Sequence, residues 1–381
     1  MKLSVGRNEL WRGIDTVLDA VPSKPTMPVL ANLLMEADGE NLYLAATDLE
    51  LSIRTQIAAD IEIEGRVAVP ARTLADIARE WPEAQLHIEV DEERLRLSGQ
   101  LGSEIEGEGS YVLSGMDAED FPEIPTQLEG TTLAFESGGE FQLAEMVNKT
   151  VFAVSRDETR PILNGVYWSI EDEGMIMVAT DGHRLASFKT SLPNGGTGKA
   201  EAILPPQACN HLVKLSGNQR QLNSATLGES QVLFDLGDTV LLSRLIDGPY
   251  VEYGQVIPQG NDTHLRIDRE KLLSTVRRVS ILSSSYTHQV RMVLKDHSLE
   301  LSATSQEIGG EAREVLQVDY GEEELEIAYN AQYLMEILRK IDSQEVVFDL
   351  KNSVTAALLR PGEGEEEEDY FCLLMPLRPS G

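Results

Sequence analysis

Asp181, His183 and Arg184, followed by Ser187, place an acid, an imidazole, a cation and a hydroxyl within one short tract. Histidine titrates near neutral pH, so this grouping invites a general acid–base reading, with Ser187 as nucleophile. Two observations oppose it. No strand–elbow–helix glycine pattern surrounds Ser187, and no second histidine is placed to assist. The tract Ala46-Thr47-Asp48-Leu49-Glu50 shares Ala-Thr-Asp with Ala179-Thr180-Asp181 but lacks the histidine, which marks the triplet as strand-end architecture. No catalytic residue is expected. The six histidines are scattered without metal-ligand spacing, and Cys209 and Cys372 are the only cysteines. No metal, cofactor or disulfide framework is therefore expected, and a reducing cytoplasm is the default compartment.

The two tracts belong to a longer repeat. Leu10, Ile14, Leu18 and Val21 recur as Leu143, Val147, Val151 and Val154, and Pro28-Val29-Leu30 recurs as Pro161-Ile162-Leu163, all at an offset of 133. A looser third copy comes next, with Leu272, Val276 and Val279 at helical spacing and Ala303-Thr304 after a strand. Solenoid units run to roughly 20–50 residues, so a repeat this long describes domains with cores of their own. The boundaries expected are 1–127, 128–257 and 258–381, with joins near 122–130 and 254–262.

Each third reads as helix, strands, helix, strands. The opening helices carry apolar stripes: Leu10, Ile14, Val17, Leu18 and Val21; Leu143, Met146, Val147, Val151 and Val154; Leu272, Leu273, Val276 and Val279. Alternating strands follow at 42–44, 175–178 and 299–301. Second helices are expected around Leu74, Ala208 and Leu334, before closing strands at 86–90, 232–236 and 346–350. The fold class is α+β, with three repeated domains, each of two helices packed on antiparallel sheet.

Charge separates by element. The chain carries −32, yet segments 7–20, 71–80, 140–150, 207–220, 268–282 and 330–341 together carry +3, leaving −35 on the remainder. A solvated basic face explains any single helix. Six helices spared in matching positions favour a common surface that meets phosphate. Similar domains joined head to tail make heterologous contacts, which close into a ring when the rotation allows. No apolar run reaches the roughly 18 residues of a membrane helix, and the N-terminus has no signal pattern.

The runs Lys24–Leu30, Ala46–Ile53, Val69–Leu74, Arg160–Gly165, Ala179–Ala186, Ile281–Ser285 and Leu373–Arg378 resemble the bacterial DNA polymerase sliding clamp family, the beta subunit of the replicase. The resemblance implies a head-to-tail homodimer ring of three-domain subunits around duplex DNA. It also implies a clamp loader, replicative and repair polymerases as partners, and no catalysis. Partner peptides would enter a groove between the second and third domains, formed by Leu163, Thr180, Gly182, His183, Arg184 and Leu185, by Val251, Gln255 and Val256, and by Ser353, Leu373, Met375, Pro376, Leu377 and Arg378. His183, Arg184 and Arg378 would be its polar rim. The chain departs from the family at Val251 and Gln255, where Pro and Arg are usual.

For DNA the resemblance implies Lys24, Arg72, Arg156 and Arg160, and helical position with charge adds Lys149, Lys214, Lys271, Arg277, Arg278, Arg339 and Lys340. Tyr111 and Leu113 resemble one half of a subunit contact, and Ile281 and Leu282 the other. The acidic run Glu363 to Asp369 reads as a solvated loop. The rival reading, carried by the −32 charge, is an acidic protein-binding scaffold that never encircles DNA.

Overall fold

The computed structural model describes residues 1–101, 107–135, 139–171, 174–191, 199–217, 220–362 and 369–378, so all of the acidic run except Asp369 lies outside the described residues. Six helices occupy the expected places: α1 (Arg7–Leu18), α2 (Ala71–Glu80), α3 (Gly139–Thr150), α4 (Pro206–Gly217), α5 (Arg269–Val279) and α6 (Ala331–Lys340). Their buried faces match the sequence stripes. Leu10, Ile14 and Val17 are buried in α1, and Leu272, Leu273, Val276 and Val279 in α5. Gly13 lets α1 approach the sheet closely, since a Cβ there would stand 2.7 Å from the Leu44 side chain. α5 and α6 start on side-chain caps: Asp268 accepts from the Lys271 N–H at 2.9 Å, and Asn330 from the Gln332 N–H at 2.9 Å. Two stripes outrun their helices, the first because α1 ends at Leu18, short of Val21. α3 stops at Thr150, whose hydroxyl donates back to the Met146 carbonyl at 2.7 Å, and Val151 falls in a separate 3₁₀ turn.

The chain folds as two compact units that are out of phase with the repeat: residues 1–141 with 210–245, and residues 142–209 with 246–381. The middle repeat is shared between them. The reason lies in the sheets, all of whose ladders are antiparallel. In the first unit an eight-stranded sheet runs in the order Thr131–Ala134, Ser224–Leu227, Gln231–Asp235, Thr239–Arg244, Leu51–Ala58, Asn41–Thr47, Asn32–Asp38, Gly65–Pro70. Strands from the first and second repeats meet at one seam, where Thr239 pairs with Thr55 and their buried hydroxyls are 2.8 Å apart.

The second unit repeats this plan. Its eight strands are ordered Ala200–Leu204, Val166–Glu171, Gly174–Thr180, Arg184–Thr190, Asp369–Leu374, Ala357–Pro361, Glu345–Leu350, Thr263–Asp268. The seam joins Arg184–Thr190 to Asp369–Leu374, with Leu185 opposite Leu373. Pairing across the repeats covers strand edges that would otherwise lie open. A smaller sheet completes each unit. Five strands end at Glu108–Ser114 in the first, and four end at Gly310–Gln317 in the second. Among the described residues each of these two strands has one ladder partner.

Candidate functional site

Thr180, Asp181, Gly182, His183 and Arg184 form a tight turn between adjacent strands of the second unit. The Asp181 carboxylate accepts from the His183 and Arg184 N–H groups at 2.8 and 3.0 Å, and the Thr180 hydroxyl donates to the Arg184 carbonyl at 2.6 Å. Gly182 takes φ +87° at the tip. The acid and the cation of the imagined catalytic cluster are spent on structure, for Asp181 also holds the Arg184 Nε at 3.1 Å. The Arg184 guanidinium then reaches the Glu336 carboxylate of α6 and the Phe152 carbonyl, the latter at 2.8 Å, and lies 4.4 Å over the Tyr333 ring. At 8% exposure Arg184 is a buried tie, not the rim donor the sequence suggested. His183 stacks on the same Tyr333, with ring centres 6.3 Å apart.

Beside this turn lies a groove of about 320 Å³ with an apolar wall. It gathers ten of the expected residues: Leu163, Thr180, Gly182, His183, Arg184 and Leu185, with Val251, Val256, Leu373 and Met375. Glu252, Tyr253 and Ala356 line it too and were not foreseen. Gln255, Ser353, Pro376, Leu377 and Arg378 are not among its lining residues. The tail is instead stitched to its surroundings, Met375 N–H to the His183 carbonyl at 2.9 Å and Leu377 N–H to the Ala328 carbonyl at 2.7 Å. That stitching fixes Met375 at the mouth while Pro376 and Leu377 serve as its anchor.

The groove floor continues into a core of Val178, Leu185 and Leu373, covered by Tyr167, Tyr250 and Tyr253. Tyr167 and Tyr250 stack with centres 5.0 Å apart. Burial and a hydrogen bond from its hydroxyl to Glu201 push the Tyr167 phenol up to about 12. Three tyrosines between residues 167 and 253 were the available sequence signal for this lid, but a join reads as loop until its partner strand is known. The first unit holds a larger cavity of about 590 Å³, where Arg54 pairs with Glu36 and Arg66 with Glu119. Its wall is charged and internally compensated, so the smaller apolar groove is the better seat for a hydrophobic ligand.

The candidate phosphate contacts fall into four states. Lys24 and Arg72 in the first unit, and Arg156, Lys271, Arg277 and Arg339 in the second, are exposed, whereas Arg160 is exposed but paired with Asp157 at 3.0 Å. Lys214 and Arg278 are exposed but engaged, Lys214 with Asp19 and Arg278 in a two-armed pair with Glu314. Lys340 is half-buried, and desolvation lowers its pKa, helped by the neighbouring Lys149. Lys149 itself corrects the sequence reading. It is only 8% exposed, paired with Asp342 and Glu145, and 5.1 Å over the Tyr370 ring, because the helix stripe turns it toward the core.

The candidate subunit contacts lie on one end strand, Glu108–Ser114, and on the 3₁₀ turn Ser280–Leu282 beside the other. Tyr111 is 47% exposed and edge-packed on Trp81, and Leu113 is half-buried one pleat along. Ile281 is 70% exposed, and Leu282 packs near Gly310 at the start of the other end strand.

Three domains of two helices on antiparallel sheet, repeated along one chain and joined by shared sheets, define a polymerase-clamp fold. Matches to family models agree: DNA polymerase III beta subunit, N-terminal domain over residues 1–125, central domain over 140–252 and C-terminal domain over 254–378. The beta sliding clamp of Synechococcus elongatus is 33% identical, covering 99% of this chain and 100% of that protein. That of Caulobacter vibrioides is 30% identical with the same coverage. Among solved structures, the Bartonella birtlesii DnaN sliding clamp bound to griselimycin is 32% identical with a TM-score of 0.90, and a Pseudomonas aeruginosa clamp, also with griselimycin, is 28% identical at 0.91; each comparison covers 99% of both chains. The chain belongs to the DNA polymerase III beta subunit family, the bacterial sliding clamps, which act as processivity factors in DNA replication. Among the described residues no helix is long and apolar enough to cross a membrane, and no group of three His, Cys, Asp or Glu is placed to hold a metal.

Proposed function

We propose that two copies of this chain close head to tail around duplex DNA and hold it by linkage, while partner proteins dock short hydrophobic peptides in the groove of the second unit. The seams support the closure. Strand Thr239–Arg244 pairs with Leu51–Ala58 in the first unit, and Asp369–Leu374 with Arg184–Thr190 in the second. The same rule, carried one step further, sets strand Glu108–Ser114 of one chain against Gly310–Gln317 of its partner, with Tyr111 and Leu113 facing Ile281 and Leu282. The functional domains would be 1–127, 128–257 and 258–381.

Lys24, Arg72, Arg156, Lys271, Arg277 and Arg339 would touch phosphate without reading sequence, joined by Arg160, Lys214, Arg278 and Lys340 where their present partners yield. The groove residues would take peptides from the replicative polymerase, the clamp loader and repair polymerases. No step of catalysis is assigned, and the site of action is the cytoplasm.

The observation that carries this reading is the apolar groove held open beside the Arg184 tie. Protein loaded on nicked circular DNA should dissociate when the circle is linearised; an acidic scaffold would show no such dependence on topology. Ending the chain before Met375 should abolish capture of a polymerase tail peptide and keep the dimer. Loss of the dimer instead would move the groove elsewhere. Charge reversal at Lys24 and Arg156 should weaken DNA retention and spare peptide affinity.

A further inference from the structure

We infer that the groove selects peptides bearing lysine or arginine beside the hydrophobic anchor, with Glu252 as the residue that reads the charge. The inference rests on the peptide-docking reading above and specifies its ligand. Among the described residues lining the groove, the formally charged groups are Arg184 and Glu252. Arg184 offers a ligand nothing electrostatic: its guanidinium is buried and shared among Asp181, Glu336 and the Phe152 carbonyl. Glu252 is exposed. The covering segment from Tyr250 to Ile257 contains no cation, Gln255 being its one other polar side chain of length.

The surroundings point the same way. Burial first, and then Glu171 and Glu252, hold the Tyr253 phenol above the ordinary range, and Glu201 accepts the Tyr167 hydroxyl at 2.7 Å. Glu252 and Tyr253 line the groove side by side, so a cationic side chain entering here has a carboxylate to pair with and an aromatic neighbour to pack on. An acidic residue at that position meets like charge. The net charge of −32 adds a long-range attraction for basic partners that salt will screen.

Two peptides with the same hydrophobic anchor, one flanked by arginine and one by glutamate, should be titrated by fluorescence anisotropy against the full-length dimer. The arginine peptide is expected to bind about three- to five-fold tighter, as a partly exposed ion pair allows, with the ratio shrinking in high salt. Glu252→Gln should bring the ratio close to one, and Glu252→Lys should reverse it. Equal affinities, or preference for the glutamate peptide, would overturn the charge selection while leaving the groove as a docking site. If neither peptide binds, the groove reading falls and this inference with it.

Discussion

The turns at Thr47–Leu51 and Thr180–Arg184 are built alike and used differently. In both, the threonine hydroxyl donates to the carbonyl four residues on, at 3.0 and 2.6 Å, and the aspartate caps two backbone N–H groups. Both tips take positive φ, +79° at Leu49 and +87° at Gly182. The residue just past the cap sets them apart: Leu51 is simply buried, whereas Arg184 ties Asp181 to α6 and to the turn at Phe152. Ala-Thr-Asp is therefore scaffold common to both units, and the chemistry of each site is decided by the next three residues.

Removing the tie should have the largest effect. Arg184→Ala leaves the buried Asp181 carboxylate uncompensated and is expected to cost about 3 kcal/mol, the scale of breaking a buried pair. Both cysteines are buried in the second unit, so thiol labelling reports its opening alone. Labelling should speed up on the order of 100-fold if opening tracks that loss of stability. Unchanged labelling would reduce Arg184 to a surface ornament of the groove.

The two aspartates give the next contrast. Asp48→Ala removes a turn cap and should cost about 1 kcal/mol, while Asp181→Ala also takes one carboxylate partner from the buried Arg184 guanidinium and should cost two to three times as much. Equal losses by hydrogen exchange at the two turns would erase the distinction between them.

High pH should separate the units further. Burial pushes the Cys209 and Cys372 thiols up from the ordinary 9.0 to about 12. Each ionises more easily unfolded than folded, so its contribution is intact below about pH 9 and is lost as pH climbs toward 12. Exchange protection in the second unit should fall over that window, and Cys209→Ala with Cys372→Ala should flatten the fall.

The smallest effects concern the tips. Leu49→Gly relieves a left-handed leucine and should stabilise the first unit by up to about 0.5 kcal/mol, net of glycine's greater freedom unfolded. Gly182→Ala should destabilise the second by about 1 kcal/mol, since its Cβ would also stand 3.3 Å from the Arg160 guanidinium. Melting curves that move in the same direction for both would refute the equivalence of the turns.

Much of the architecture is legible in the sequence. The offset of 133 aligns strand Asn41–Thr47 with Gly174–Thr180 residue for residue, and helical stripes at 10, 14 and 17 locate α1 against its sheet. Eight groove residues sit in the short runs that carry the resemblance, where a local turn fixes their direction, and Val251 and Val256 come from the join. Arg184 reads wrongly as a rim donor because Glu336 lies 152 positions away, and no local pattern announces a partner at that distance. Lys149 misleads similarly: a lysine near a helix end reads as solvent-facing until Asp342 and Tyr370 are known to stand beside it. Seams between repeats are invisible for a related reason, since strand pairing between residues 51–55 and 239–243 depends on contacts across most of a unit.

Those seams have a bearing on how such a chain arose. A gene holding a single repeat would specify a polypeptide with one donor strand and one acceptor strand, each needing a neighbour. Such a building block satisfies its backbone only in company, so duplication and fusion in tandem would convert existing intermolecular joints into covalent neighbours rather than invent new ones.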